Sequence, residues 1–88
     1  MLTRPEIFEQ LKDILIFADD KNRDVIEHCD ESTKLVADLG FTSVSVLYMV
    51  IAIEESFGIV FGDVSMNDFP TVGDVVSYMR RGFNEVGV

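Results

Sequence analysis

Apolar residues recur at helical spacing in three separate runs, joined by polar stretches without sustained period. In the first run Ile7, Phe8, Leu11, Ile14, Leu15 and Ala18 fall at steps of three and four, with Glu9, Gln10, Lys12 and Asp13 on the opposite face. Thr3 with Glu6 three residues later forms a capping box, and Pro5 suits a first turn, so a helix is predicted from about Thr3 to Ala18. The second run, Asp38 to Phe57, opens on a turn signal at Gly40 and passes Thr42 and Ser43. It continues as an almost unbroken apolar stretch closing on Glu54 and Glu55. This predicts a helix from about Ser43 to Phe57, with Ser43 as its N-terminal cap and Gly58 as its C-cap. In the third, Thr71 caps a helix with Asp74 in the capping-box position, and Val72, Val75, Val76, Met79 and Phe83 line one face. Arg80 and Arg81 are expected in its final turn, where the helix dipole favours cations, with Gly82 as the stop.

The connections are harder to read. Asp19 to Thr42 is dense in Asp, Glu, Lys, Asn and Ser. A structureless loop of that length is uncommon in a compact domain, so Val25, Ile26, Leu35, Val36, Leu39 and Phe41 are expected to pin it, with a turn or two of helix. The alternative is that Lys21 to Glu27 extends the first helical region. Ile59, Val60 and Phe61 have the composition of a strand but no second strand to pair with. A short helical turn around Asp63 to Phe69, ended by Pro70, fits better. The expected fold is all-α: a small antiparallel four-helix bundle with a short third helix and a long loop between the first two, in a single domain over residues 1–88.

The second long helix carries two apolar stripes. Val46, Met49, Val50, Ile53 and Phe57 form one; Val44, Leu47, Tyr48 and Ile51 form the other, which ends at Glu55. One stripe serves the core, and the other must be covered or act as a docking surface. The run is too short to cross a bilayer, which takes ~20 residues.

Composition narrows the function. Sixteen acidic against seven basic residues give a net charge of −9, which argues against nucleic acid or an anionic membrane as partner. Cys29 is the single cysteine and His28 the single histidine, which excludes an internal disulfide and a Cys/His zinc site and suits the reducing cytoplasm. The first ten residues lack the basic-then-apolar layout of a signal peptide. His28 and Cys29 are adjacent in a polar stretch, so they form no separated nucleophile–base pair, and no enzyme activity is expected. Asp20, Asn22, Asp24 and Glu31 fall at positions one, three, five and twelve of a calcium loop. Val25 stands where that loop needs glycine, however, and Ile26 lies one place early for its aliphatic residue, so an acidic surface loop is expected and no metal site.

Ser43 carries two readings. A serine at a helix start satisfies backbone N–H groups. The same position suits a modification, since a phosphodiester there would meet unpaired N–H groups and the positive end of the helix dipole.

The pattern Leu35-x-x-Asp38-Leu39-Gly40-x-x-Ser43-Val44-x-x-Leu47, continuing through Ala52, Ile53, Glu54, Glu55 and Phe57, resembles acyl carrier proteins and related peptidyl carrier domains. The later run from Phe69 through Pro70, Thr71, Val72, Gly73 and Asp74 to Met79 does so independently. The resemblance covers nearly the whole chain and implies a four-helix bundle with a short third helix. It implies that Ser43 receives 4′-phosphopantetheine from coenzyme A through a phosphopantetheinyl transferase. A freestanding monomeric carrier then holds an acyl or aminoacyl group as a thioester for fatty acid, polyketide or related biosynthesis, with loading and synthase enzymes as partners and no membrane insertion. The partner face implied is Thr42, Val44, Leu47, Tyr48, Ile51 and Glu55. Thr42 and Val44 depart from the Asp and Leu that many carriers place around the serine, and Tyr48 replaces a commonly acidic residue, so docking is expected to be more apolar and less salt-dependent. Ser45 lies out of the motif's register. The alternative is an unmodified carrier-fold module that docks through the apolar face of the second long helix. A cleft lined by small residues such as Ala52 is a candidate shelter for the cargo.

Overall fold

The structure is a computed structural model that describes residues 3–62, 64 and 66–85. Among them four α-helices follow in order: α1 (Arg4–Ala18), α2 (Arg23–Glu27), α3 (Ser43–Phe57) and α4 (Val72–Glu85), with 3-10 turns at Asp20–Asn22 and Met66–Asp68. The all-α four-helix architecture is as expected, but the short α-helix is the second, within the segment read as a long loop, and the place expected for a short third helix holds the 3-10 turn Met66–Asp68. α1 packs against both α3 and α4. Residues 1, 2 and 86–88 of the expected 1–88 domain lie outside the described residues, as does Asp63, where the expected short turn began.

Helix ends follow local chemistry. Thr3 accepts the Glu6 N–H at 3.4 Å while the Glu6 carboxylate accepts the Thr3 N–H at 3.1 Å, closing the capping box of α1. At α4 the same exchange joins Thr71 and Asp74: the Thr71 N–H donates to the Asp74 carboxylate at 2.9 Å, and the Asp74 N–H to the Thr71 hydroxyl at 3.3 Å. α3 stops at Gly58, whose left-handed backbone (φ 68°) returns its N–H to the Glu54 carbonyl at 2.9 Å.

One core gathers the three long helices. Ile7, Leu11, Ile14 and Leu15 of α1 meet Val46, Met49, Val50 and Ile53 of α3 and the expected five residues of α4, all buried. The Phe57 and Phe83 rings close one end in an edge-to-face contact at 5.5 Å. Between α3 and α4 in the chain, Ile59, Phe61 and Phe69 are buried in the same core.

Residues 19–42 contain the expected turn or two of helix, Asp20–Asn22 winding as a 3-10 turn and Arg23–Glu27 as a short helix, while α1 ends at Ala18 and is not extended over Lys21 to Glu27. Ile26, Leu35, Leu39 and Phe41 pin the segment as expected. Val25 and Val36 do not; both stand about half exposed. The segment is then stitched to the start of α4: the Leu35 N–H reaches the Pro70 carbonyl (3.2 Å), Val72 reaches Thr33 (2.9 Å) and Gly73 reaches Glu31 (2.8 Å).

Gly82 corrects another expectation. α4 runs on to Glu85, so Gly82 lies inside it and Arg80 and Arg81 precede the final turn. A Cβ at Gly82 would stand 3.2 Å from Cδ1 of Ile59, so the glycine serves close packing and not helix termination. Arg81 instead lays its guanidinium over the Tyr78 ring at 5.5 Å.

Candidate functional site

The approach to Ser43 is a tight turn with most backbone groups paired. The Asp38 carboxylate accepts the Lys34 N–H at 2.9 Å. Leu39 N–H returns to Lys34 (3.1 Å), Gly40 N–H to Val36 (3.0 Å) and Phe41 N–H to Leu35 (2.9 Å). Leu39 and Phe41 are buried to either side of Gly40, which takes φ 70°. Asn22 clamps the turn from outside, donating to the Leu39 carbonyl and to Asp19, each at 2.8 Å. The Asp-Leu-Gly triplet is thus a capped turn, an inserted apolar anchor and a left-handed hinge, and it fixes where α3 begins.

Thr42, not Ser43, is the N-cap of α3. Its hydroxyl accepts the Ser45 N–H at 3.3 Å, and its carbonyl accepts the Val46 N–H at 3.0 Å. The expectation that Ser43 caps the helix therefore fails by one position: the extended backbone (ψ 175°) that a cap needs belongs to Thr42, and Ser43 is already helical. The consequence favours chemistry. Ser43 is exposed, and its hydroxyl makes no hydrogen bond among the described residues. Ser45, the rival hydroxyl, is half-buried, and its oxygen lies 3.3 Å from that of Thr42.

Past Ser43, the two stripes of α3 separate as expected. Val46, Met49, Val50 and Ile53 are buried and Phe57 is half-buried, whereas Val44, Leu47, Tyr48 and Ile51 are 42–56% exposed. Two grooves of about 500 Å³ each flank the exposed ridge. The first starts at Ser43 and runs past Val46, Leu47 and Val50 to Glu54, with Gly62 and Val64 opposite. The second lies between α3 and α1, where Ala52, Tyr48 and Ile51 face Ile14 and Phe17, and Asp13 and Glu55 border it. The Ala52 cleft therefore exists, but Ser43 does not line it; the groove that reaches the serine is on the other side of α3.

The roles of two residues of the site have no clear signal in the sequence. Phe17 is 74% exposed at the end of α1 and extends the apolar ridge of α3 across the second groove. It follows Ile14 by three residues, and an apolar ring at that step beside the buried stripe is the only hint. Glu54 is the other: its carboxylate accepts the Phe61 N–H at 2.9 Å, which leaves Glu55 as the exposed acid of the pair. Phe61 is held a second time, its carbonyl accepting the Tyr78 hydroxyl at 3.0 Å.

His28 and Cys29 line neither groove. His28 Nδ1 sits 2.8 Å from the Asp24 carbonyl. Partial burial pushes the Cys29 thiol up, away from the thiolate that a nucleophile needs. Ser32 hydrogen bonds to the Asp30 carboxylate, first from its hydroxyl and then from its N–H, hold that group below its ordinary range. No group of three or more His, Cys, Asp or Glu residues among the described residues is arranged to hold a metal, and no helix among them is long and apolar enough to cross a membrane.

Comparison with known proteins returns to this site. The family model described as "Phosphopantetheine attachment site" matches residues 14–79. The acyl carrier protein of Thermotoga maritima is 33% identical over 81 residues, covering 92% of this chain and 96% of that protein. That of Wolinella succinogenes is 36% identical over 74 residues (84% and 93%), and that of Clostridium acetobutylicum 36% over 79 residues (90% and 99%).

Proposed function

The chain belongs to the acyl carrier protein family, and from that premise we propose that Ser43 is the residue that bears its covalent 4′-phosphopantetheine. The observation that carries this reading is the division of labour at the start of α3. Thr42 takes the cap and Ser43 presents an exposed, unbonded hydroxyl at the end of a rigid turn. Around it the Ser43 and Val44 N–H groups have no partner among the described residues, and the positive end of α3 suits a phosphodiester. When attached, the arm supplies a terminal thiol that holds cargo as a thioester. The chain's own residues place that arm, offer an apolar groove beside it and present the docking face; the chemistry on the cargo belongs to partner enzymes.

The groove running from Ser43 along α3 supports shelter of an apolar cargo chain, because it is apolar and starts at the attachment point. Thr42, Val44, Leu47, Tyr48, Ile51 and Glu55 form the face for the transferase and for loading and synthase enzymes, and Phe17 enlarges it. The terminal thiol of the arm and the lone Cys29 both suit a reducing compartment, in keeping with work in the cytoplasm.

The test is an intact-mass measurement after incubation with coenzyme A, magnesium and a broad-specificity phosphopantetheinyl transferase. One phosphopantetheine should be gained by the protein and by Ser45→Ala, and none by Ser43→Ala. Because Thr42 carries the cap, Ser43→Ala should stay folded, so its failure to gain mass reports chemistry and not unfolding. A gain that persists in Ser43→Ala would place the arm elsewhere. No gain with several transferases would favour the unmodified docking module.

A further inference from the structure

The groove beside Ser43 is apolar along its length and ends on a charge. Val46, Leu47, Val50 and Val64 line it between Ser43 and Glu54, and among the described residues that line it Glu54 is the one with an ionisable side chain. Ser43 and Glu54 both belong to α3, so their separation in sequence puts them ~16 Å apart along the axis at the helical rise. Glu54 is no loose surface group, since its Oε2 accepts the Phe61 N–H at 2.9 Å. The Phe61 carbonyl accepts the Tyr78 hydroxyl at 3.0 Å, and the two rings stack at 4.8 Å. Phe61 lies between Gly58 and Gly62, both in left-handed backbone, and Gly62 and Val64 just beyond it form the wall opposite α3. One carboxylate therefore closes the apolar run and, through Phe61, holds the facing wall in place.

We infer that Glu54 sets the length of the cargo chain that the groove shelters. The inference rests on the reading that cargo lies in the groove beside Ser43. Each methylene laid on the valines and Leu47 leaves water for apolar surface and gains free energy. Covering an ionised carboxylate with hydrocarbon strips its hydration and opposes further burial. Glu54 cannot swing aside without leaving the Phe61 N–H, a part-buried donor, without its partner. Shelter should therefore grow with chain length and then stop.

The apo protein converted by the transferase, with the corresponding acyl-coenzyme A thioesters, into forms whose arm carries saturated acyl chains of four to sixteen carbons provides the test. The Tm of each form relative to the holo protein without cargo is the readout. The wild type should gain Tm with each added carbon pair up to one length and then reach a plateau. In Glu54→Leu the rise should continue for at least four more carbons, while Glu54→Gln, which keeps an acceptor for the Phe61 N–H and a polar end to the groove, should keep the wild-type plateau. Should Glu54→Leu fail to fold by circular dichroism, Glu54→Ala carries the same expectation. A plateau that stays where it was in every folded variant lacking the side-chain acceptor overturns the inference and leaves the cargo reading standing. A wild-type Tm indifferent to every chain overturns the cargo reading and the inference with it.

Discussion

The guanidinium of Arg4, in the first turn of α1, pairs with the carboxylate of Glu31 in the loop beyond α2. The same side chain donates to the Ser77 hydroxyl at 3.0 Å and to the Gly73 carbonyl at 3.3 Å, so one residue joins α1, the loop and α4. A cation at a helix N-terminus opposes the dipole, and the three acceptors offset that cost. Arg4→Ala should destabilise the fold by about 1–2 kcal/mol, since the pair is only part-buried and partly screened by solvent. Urea unfolding of the two proteins at low and high salt measures it, and the difference should shrink with salt.

Gly73 sits where that junction is tightest. A Cβ there would lie 2.9 Å from the Glu31 carbonyl oxygen, which is backbone and itself accepts the Gly73 N–H at 2.8 Å. Gly73→Ala should cost about 1–3 kcal/mol despite the better helix propensity of alanine. Chemical denaturation with an unchanged m-value would show that the cost lies in the folded state.

Thr42→Ala removes the cap of α3 and should cost about 1 kcal/mol, whereas Thr42→Asp keeps an acceptor for the Ser45 N–H and adds a charge that the helix dipole favours by about 0.3–1 kcal/mol. Thermal unfolding ranks the three proteins. The rate of mass gain with the transferase separately tests what threonine does to recognition at this position.

Docking on the α3 ridge should depend on apolar contact. Phe17→Ser removes a ring that is 74% exposed, so Tm should move little while kcat/KM of a partner enzyme acting on the holo protein falls several-fold. Tyr48→Glu should lower it as well, and the wild-type rate should vary weakly with salt. Turnover unchanged by Tyr48→Glu would remove this face from docking.

The capping box of α1 makes a signed pH prediction. The Thr3 N–H, and after it the Thr3 hydroxyl, hold the Glu6 carboxyl below its ordinary value of 4.5. A carboxyl lowered in the folded state contributes stability that is fully present above the unfolded value and is lost as pH falls through the lowered folded value. Carboxyl chemical shifts followed by NMR should place the Glu6 midpoint below 4.5. In Thr3→Val, which keeps the backbone donor and loses the hydroxyl, the midpoint should move part of the way back.

What could be read ahead of the fold was what local chemistry controls. The bounds of α1 and α3, the two capping boxes and the division of α3 into a buried and an exposed stripe all follow from spacing and cap residues, which act within one or two turns. Gly82 was misread because a glycine near a helix end has two uses, and only its neighbour Ile59 distinguishes close packing from a stop. Val25 and Val36 were assigned to the core because apolar character is visible along a chain while the direction of a side chain in an irregular segment is not.

The site divides in the same way. By itself the sequence determined that a hydroxyl stands at the entrance of an apolar helix behind an Asp-Leu-Gly turn, because turn chemistry and helical period are local. Only the tertiary structure decided that Thr42 takes the cap and leaves Ser43 free, since a one-residue difference in where the backbone becomes helical depends on how Leu39 and Phe41 seat in the core. It also decided that Glu54 turns to Phe61, that Phe17 joins the exposed ridge, and that the groove reaching Ser43 lies on the side of α3 away from Ala52. Glu54 meets Phe61 only because the chain turns back at Gly58, and Phe17 and the two grooves involve segments further apart, so no period or cap within one partner encodes the other.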